Sequence, residues 1–110
     1  MREVIEAQLD AFKRDDAPRA FSYAAPGIQQ TFGTAENFME MVRTQYPAVY
    51  RPRSVDFEAP TVAEGQVVQL VRFTDAEGRA WLAIYPMLRD ADGTWRINGC
   101  YLQAPDEHQA

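Results

Sequence analysis

The spacing of the apolar residues changes near residue 50, and this change constrains the fold more than any other feature of the sequence. Before that point apolar residues recur at helical spacing, for example at Ile5, Leu9 and Phe12, as in an amphipathic helix. After it, β-branched and aromatic residues alternate with polar ones, which is typical of strands. A block of helices followed by a block of strands predicts an α+β domain in which the helices cover an antiparallel sheet.

Three N-terminal helices are predicted from the apolar spacing and its interruptions. The first ends at Asp15-Asp16-Ala17-Pro18, and the second is short and stops at Pro26-Gly27. The third begins at Thr34 as N-cap and runs to Pro47. The segment that follows, Tyr46 to Arg53, contains two prolines and is predicted to be an extended, stiff connector, with binding of an anion or a partner peptide as the alternative.

Two D-A-x-G turns divide the second half into strands. Each ends in a glycine that can adopt positive φ, at Asp75–Gly78 and at Asp90–Gly93. A short strand and a three-stranded meander are therefore predicted, at Ser54 to Glu58, Val67–Thr74, Arg79–Leu88 and Thr94–Gln103. Pro86 lies inside one of these strands and cannot donate a ladder hydrogen bond, so that position requires a sheet edge or a β-bulge.

Both faces of the predicted four-stranded sheet carry apolar residues. Trp81 and Tyr85 fall on one side of their strand, and Leu82 and Ile84 fall on the other. Helices on one side would leave the second apolar face in water, which soluble monomers rarely tolerate over a large area. We therefore expect a homodimer that forms through the sheet, although a strongly curved sheet would absorb part of this surface.

Composition excludes several classes of protein. The chain has 110 residues, which fits one domain over residues 1–104 with a polar tail at 105–110. Its net charge of −5 disfavours binding to nucleic acid, whose phosphates require a basic surface. No apolar run is long enough to cross a membrane. A single Cys100 and a single His108 exclude a Cys/His zinc site, and no cofactor is expected. Met1 to Glu6 lack the features of a signal peptide, so the chain is predicted to be cytoplasmic, with a periplasmic mature form as the alternative.

Two segments carry a resemblance to a known family. They are A-F-x-R-D-D-A-x-x-A-F-x-Y-A-A-P, from Ala11 to Pro26, and D-G-T-W-R-I-N-G-C, from Asp92 to Cys100. With them the chain resembles domain-of-unknown-function family 4864, a bacterial family similar to the nuclear transport factor 2-like superfamily. The resemblance implies helices packed into a conical, curved antiparallel sheet (a cystatin-like cone), commonly dimeric, and it brings no catalytic residues.

Such cones hold a cavity between the concave side of the sheet and the helices, where a small ligand is usually bound. Five residues are candidates for a pocket of this kind: Tyr23, Asp56, Arg72, Trp81 and Tyr85. Phenol groups would orient a ligand, and Arg72 would pair with Asp56 or clamp a ligand carboxylate. The alternatives are structural packing for the aromatic residues and a surface ion pair for the arginine.

Two hypotheses for function follow. The favoured one is a non-catalytic module that binds a small apolar ligand or serves as a scaffold and dimerises through its sheet. The alternative is a small acid–base enzyme of isomerase, dehydratase or hydrolase type, in which Asp56 or Glu58 acts as base on an apolar ligand. A carboxylate that points into an enclosed pocket would favour the enzyme.

Overall fold

The computed structural model describes residues 1–104 and confirms the α+β class, with five helices that precede six strands in this range. The helices are α1 (Arg2–Lys13), α2 (Ala17–Ser22), α3 (Pro26–Phe32), α4 (Ala35–Gln45) and α5 (Pro47–Tyr50). The strands are β1 (Ser54–Phe57), β2 (Thr61–Ala63), β3 (Gln66–Thr74), β4 (Ala80–Arg89), β5 (Trp95–Ile97) and β6 (Tyr101–Gln103). The predicted polar tail at 105–110 lies outside the described residues. In the described part of the chain, every helix is too short or too polar to cross a membrane.

The prediction of three helices was wrong at two prolines, Pro26 and Pro47. The helix before each proline does end, α2 at Ser22 and α4 at Gln45, but each proline also occupies the first turn of a further helix, α3 and α5. Proline is well suited there because the first turn has no intrahelical partner for the N–H that proline lacks. The predicted extended connector from Tyr46 to Arg53 therefore begins as a helical turn.

The predicted N-caps are present. The Thr34 hydroxyl accepts a hydrogen bond from the Asn37 N–H at 3.1 Å, and the Asp16 carboxylate accepts one from the Arg19 N–H at 3.2 Å. Both side chains satisfy backbone donors that the first turn of a helix leaves free. The sequence signals for the start of α2 and α4 were therefore read correctly.

Arg51, just after α5, joins the connector to the end of α1. Its guanidinium donates to the Phe12 carbonyl at 2.6 Å and to the Asp15 carboxylate at 3.0 Å. The Tyr50 hydroxyl also donates to Asp15. This hydrogen bond, with the nearby Arg51 charge, holds the pKa of Asp15 below its usual value. The basic and aromatic residues of this segment thus make internal contacts that fix the connector against α1.

The sheet has four rows, as predicted, but each outer row is divided into two strands. β3 and β4 form the central pair, β1 and β2 both pair with β3, and β5 and β6 both pair with β4, all antiparallel. The sheet is curled. The predicted strand Thr94–Gln103 is therefore a single row with a break, and β2 is an extension of the first row that the sequence analysis missed.

A shift of register by one residue marks both breaks. Met87 pairs with Ile97, whereas Ile84 pairs with Tyr101, so the last row holds one extra residue between β5 and β6. This is a β-bulge, and Pro86 lies opposite it, as its missing N–H requires. The Pro86 carbonyl still accepts a hydrogen bond from the Asn98 N–H at 2.8 Å. The prediction of an edge or a bulge at Pro86 is confirmed.

The first row shifts in the same way between β1 and β2, next to Pro60. The buried side chain of Gln69 fills this gap, and its amide donates to the carbonyl groups of Glu58 and Leu70. A buried glutamine is unusual, and here it satisfies carbonyl groups at the point where the ladder is interrupted.

Both D-A-x-G segments form the predicted hairpin turns, with φ of 85° at Gly78 and 88° at Gly93. In the first turn, Asp75 is 8% exposed, and its carboxylate accepts hydrogen bonds from three N–H groups. They belong to the Trp81 indole at 2.9 Å and to the backbone of Glu77 and Arg79 at 3.0 and 2.9 Å. These bonds, led by the one from Trp81, hold the pKa of Asp75 below its usual value.

This lowered pKa predicts a specific pH dependence for Asp75→Asn. A carboxyl whose pKa is lower in the folded state stabilises the fold above its unfolded pKa and loses that contribution as pH falls through the folded value. The wild-type protein should therefore exceed the variant in urea midpoint at pH 7, and the difference should shrink below about pH 4. Trp fluorescence across a pH series of urea titrations measures it. Glu64→Gln, in the exposed β2–β3 turn, is the control, and a difference that stays constant down to pH 3 would contradict the prediction.

The two faces of the sheet differ in their cover. Ala83, Tyr85 and Met87 are buried beneath α1, α4 and α5, whereas Leu82 and Ile84 are only half-buried and Leu88 is 41% exposed. The helices therefore cover the side of Tyr85, an assignment that the alternation of apolar residues on both faces left open. The face left open by the helices, here called the outer face, carries Leu70, Leu82, Ile84 and Leu88.

Candidate functional site

A cavity of about 380 Å³ lies between the helices and the concave face of the sheet, and it is partly open to solvent. Helices α1, α3 and α4 form one wall, and β4 with the β5–β6 bulge forms the other. Volumes of about 300–1,000 Å³ are typical of small-molecule sites, so this cavity is at the small end of that range.

The walls of the cavity are mainly apolar. The helices contribute Phe12, Phe38 and Val42, which are buried, and Ile28, Phe32 and Met41, which are half-buried. Phe38 is central, because its ring packs against the rings of Phe12, Phe21 and Phe32 at centroid distances of 6.1, 5.4 and 5.7 Å. Among the described residues that line the cavity, none is acidic, basic or a histidine.

Tyr85 supplies an unpaired polar group at this site. It projects from β4 toward the helices and is 1% exposed, and its hydroxyl has no hydrogen-bond partner within the described part of the protein. The hydroxyl interacts with the Cys100 thiol beside it, but this weak contact does not meet the distance and angle of a hydrogen bond. Burial raises the pKa of Tyr85 well above its usual value, so the phenol stays protonated. A buried hydroxyl without a partner is an exception among folded proteins.

The bulge between β5 and β6 determines what surrounds Tyr85. Asn98, Gly99 and Cys100 form it, and all three line the cavity. The Tyr46 hydroxyl, at the end of α4, donates to the Cys100 carbonyl at 3.1 Å and fixes the bulge against the helices. Burial raises the pKa of the Cys100 thiol to about 12, which keeps it a neutral thiol rather than a reactive thiolate.

Of the five candidate pocket residues, the structure brings only Tyr85 to the cavity wall. Trp81 donates to Asp75 at the β3–β4 turn, and Tyr23 ends α2, where its hydroxyl accepts from Arg19 at 3.2 Å. Asp56 and Arg72 are exposed neighbours on β1 and β3. Asp56, Arg72 and Trp81 were placed by strand alternation, which does not say which part of a face the helices enclose, and Tyr23 was included for its phenol group.

The carboxylates proposed as a catalytic base do not reach the cavity. Asp56 is exposed, and Glu58 forms an ion pair with Arg72 at the surface of the sheet. A general base must lie within hydrogen-bond reach of the substrate proton that it removes. The geometry therefore gives no support to acid–base chemistry by Asp56 or Glu58 in this cavity. Arg72 instead forms the surface ion pair that was its alternative interpretation, and its partner is Glu58 rather than Asp56.

Sequence reasoning missed the bulge residues as part of the site. Asn98-Gly99 lies inside a predicted strand, opposite a proline. An Asn-Gly pair in the middle of a strand indicates a bulge or a close approach of the backbone. That signal was present, and it would have identified the bulge, although only the structure shows that the bulge lines the cavity. The helical wall carried no comparable signal, because Phe12, Phe38 and Val42 have the same spacing as ordinary core residues.

The unpaired hydroxyl predicts that Tyr85→Phe stabilises the ligand-free protein. Burying a polar group without a hydrogen bond costs about 1–3 kcal/mol, and the substitution removes that group while keeping the ring. We expect the free energy of unfolding to rise by about 1 kcal/mol in urea denaturation. Most buried tyrosines have a partner, so the same change usually destabilises a protein. A loss of stability would show that the hydroxyl is hydrogen-bonded in solution.

Comparison with known proteins yields a family and no individual relative. No curated protein and no solved structure matches the chain significantly. Within residues 1–104, no three His, Cys, Asp or Glu side chains are grouped to hold a metal ion. The family match covers residues 1–110, and the chain belongs to the family described as Domain of unknown function (DUF4864).

Proposed function

We propose that this domain is a non-catalytic module that binds a small, mostly apolar molecule in the cavity between its helices and its sheet. The cavity volume of about 380 Å³ suits a ligand of modest size. Its walls are aromatic and aliphatic, and the described lining residues include no acid or base that would act on a substrate. We also propose that the fold is a nuclear transport factor 2-like cone, because its helices pack against the concave side of a curled sheet.

The observation that carries the proposal is the unpaired hydroxyl of Tyr85. A fold that needed this residue only as core could place phenylalanine there and avoid the cost of desolvating a hydroxyl. Ligand sites commonly combine apolar walls with a small number of polar groups that fix orientation. Tyr85 is such a group, next to a cavity and without a partner of its own.

Titration with 2-isopropylnaphthalene, followed by chemical-shift changes in the protein's NMR spectrum, tests this proposal. Binding should shift the resonances of cavity residues, and Met41→Trp, which places a larger side chain at the cavity wall, should weaken it at least tenfold. Leu88→Trp introduces the same residue on the outer face, where Leu88 is 41% exposed, and should leave binding unchanged. Absence of binding to the wild-type protein up to the solubility of the probe would overturn the proposal.

We also propose that a second copy of the chain covers the outer face. The face presents half-buried aliphatic side chains, including Leu70, Leu82 and Ile84. Beside them lie both signs of charge, Arg72 with Glu58 and Asp56. A two-fold symmetric contact places the same patch on both partners, so a patch with both signs is complementary to itself.

Light scattering coupled to size-exclusion chromatography tests the dimer. The wild-type protein should elute as a dimer at tens of micromolar protein, and Ile84→Glu should shift it to the monomer by placing a charge in the apolar contact. Val62→Glu is the control, because Val62 is 66% exposed on β2, away from the centre of the face. A wild-type monomer at that concentration would exclude the proposed contact.

A further inference from the structure

We infer that the cavity selects neutral ligands that carry a carbonyl group, of the ketone, aldehyde or ester class, and that the Tyr85 hydroxyl recognises the carbonyl oxygen. This inference rests on the proposed function, because it names the chemical class of the ligand for the same cavity. It depends on three properties of the site: which polar groups are free, which charges are absent and where the free group lies.

Most of the other deeply placed polar groups at the cavity are already paired. The Gln8 amide, 3% exposed, donates to the Ala20 carbonyl at 3.1 Å. The Tyr46 hydroxyl donates to the Cys100 carbonyl. Gln45 is exposed, so water is available to its amide. Among these groups the buried Tyr85 hydroxyl is the one that lacks a partner. A ligand that contacts this hydroxyl would form a hydrogen bond that the empty protein does not make.

The missing bond is one that Tyr85 would donate. A protonated phenol has one O–H donor, and burial keeps this phenol protonated. The Cys100 thiol beside it is a weak acceptor, and its contact with the hydroxyl does not meet the geometry of a hydrogen bond. A carbonyl oxygen is a stronger acceptor and carries no proton of its own. The ligand group that fits is therefore a carbonyl rather than a second donor.

Charge separates neutral carbonyl compounds from carboxylates. A carboxylate also accepts hydrogen bonds, but it loses hydration when it enters an apolar cavity and needs a cation to compensate. The described lining residues include no Lys, Arg or His, and Arg72, once considered as a carboxylate clamp, is exposed in its ion pair with Glu58. The cavity should therefore reject an anion of the same size and shape.

The position of the hydroxyl gives the ligand an orientation. Tyr85 lies on the sheet side, and the half-buried residues Ile28 and Met41 lie on the helical wall. The hydroxyl is inaccessible to solvent in the empty protein, so the inference requires a neighbouring side chain, such as that of Cys100, to turn aside when a carbonyl binds. Side-chain rotations of this kind are common when ligands bind. The carbonyl end then contacts the sheet, and the apolar body contacts Phe12 and Phe38.

Three probes with the same ring and the same number of non-hydrogen atoms test this inference: 2-acetylnaphthalene, 2-isopropylnaphthalene and 2-naphthoate. The quantity to measure is the ratio of the ketone and hydrocarbon dissociation constants, because each ligand's own hydrophobicity cancels when this ratio is compared between proteins. Tyr85→Phe should reduce the preference for the ketone about tenfold relative to wild type. 2-Naphthoate should bind the wild-type protein at least tenfold more weakly than the ketone.

Two further variants sharpen the test. Cys100→Ser offers Tyr85 a hydroxyl partner within the protein, so it should also reduce the preference for the ketone while the Tyr85 hydroxyl stays in place. Tyr50→Phe removes a hydroxyl that is bonded to Asp15 outside the cavity, and it should leave the preference unchanged.

The outcomes distinguish this inference from the proposed function. If the hydrocarbon binds and Tyr85→Phe leaves the preference for the ketone unchanged, the recognition by Tyr85 is wrong and the binding function stands. If 2-naphthoate binds as tightly as the ketone, selection for neutral ligands is wrong. If no probe binds, the binding function itself fails, and this inference fails with it.

Discussion

Replacing Phe38 by alanine is expected to cost about 3–5 kcal/mol in the free energy of unfolding, the usual range for a buried phenylalanine. Phe38 is 6% exposed and packs against three other phenylalanine rings. Its ring joins α4 to α1, α2 and α3, so truncation leaves a hole where four helices meet. A domain of this size has about 5–15 kcal/mol of stability in total, and the variant should therefore be marginally folded.

Urea denaturation followed by circular dichroism measures this loss. Val62→Ala is the matched control: it also truncates an apolar side chain, but Val62 is 66% exposed, and the change should fall within about 0.5 kcal/mol. Because Phe38 lines the cavity, the truncation also enlarges it. A loss below about 1 kcal/mol would mean that the phenylalanine cluster does not hold the helices together.

Gly99→Ala should cost about 1–3 kcal/mol, the usual range for a residue forced into a sparsely populated backbone conformation. Gly99 has φ of 126° in the β5–β6 bulge, where L side chains are rarely found. An added Cβ would lie 3.9 Å from the Tyr101 ring, which is an ordinary contact distance. The expected loss therefore comes from the backbone and not from a clash.

Gly27→Ala is the matched control for this prediction, with the opposite sign. Gly27 lies in the first turn of α3 without a positive φ, and an added Cβ meets nothing within 4 Å. Alanine should stabilise this position by about 0.4–1 kcal/mol. Urea midpoints of the two variants should move in opposite directions from wild type. Equal effects would show that the bulge relaxes to accept a side chain. If the bulge shapes the cavity, Gly99→Ala should also alter the binding of 2-isopropylnaphthalene.

The candidate site was only partly accessible to prediction. Tyr85 was identified because its phenol group could orient a ligand, and only the structure shows that its face lies beneath the helices. Asp56 and Arg72 were grouped with it because alternation assigns a face to each residue, although the structure places both on the exposed side. Alternation gives the direction of a side chain relative to its own strand, but the position of the helices decides which direction is inside.

Local patterns in the sequence determined that a block of helices precedes a block of strands. They also determined the caps at Asp16 and Thr34, the two D-A-x-G hairpins and the need for a bulge at Pro86. Each of these features depends on interactions between residues close in the chain or on backbone chemistry. The tertiary structure decided the rest. Whether Pro26 stops a helix or starts one, which face of the sheet the helices cover and why Tyr85 lacks a partner all depend on contacts between residues far apart in sequence. The Tyr46 hydroxyl reaches the Cys100 carbonyl across 54 positions, and no local pattern encodes such a contact.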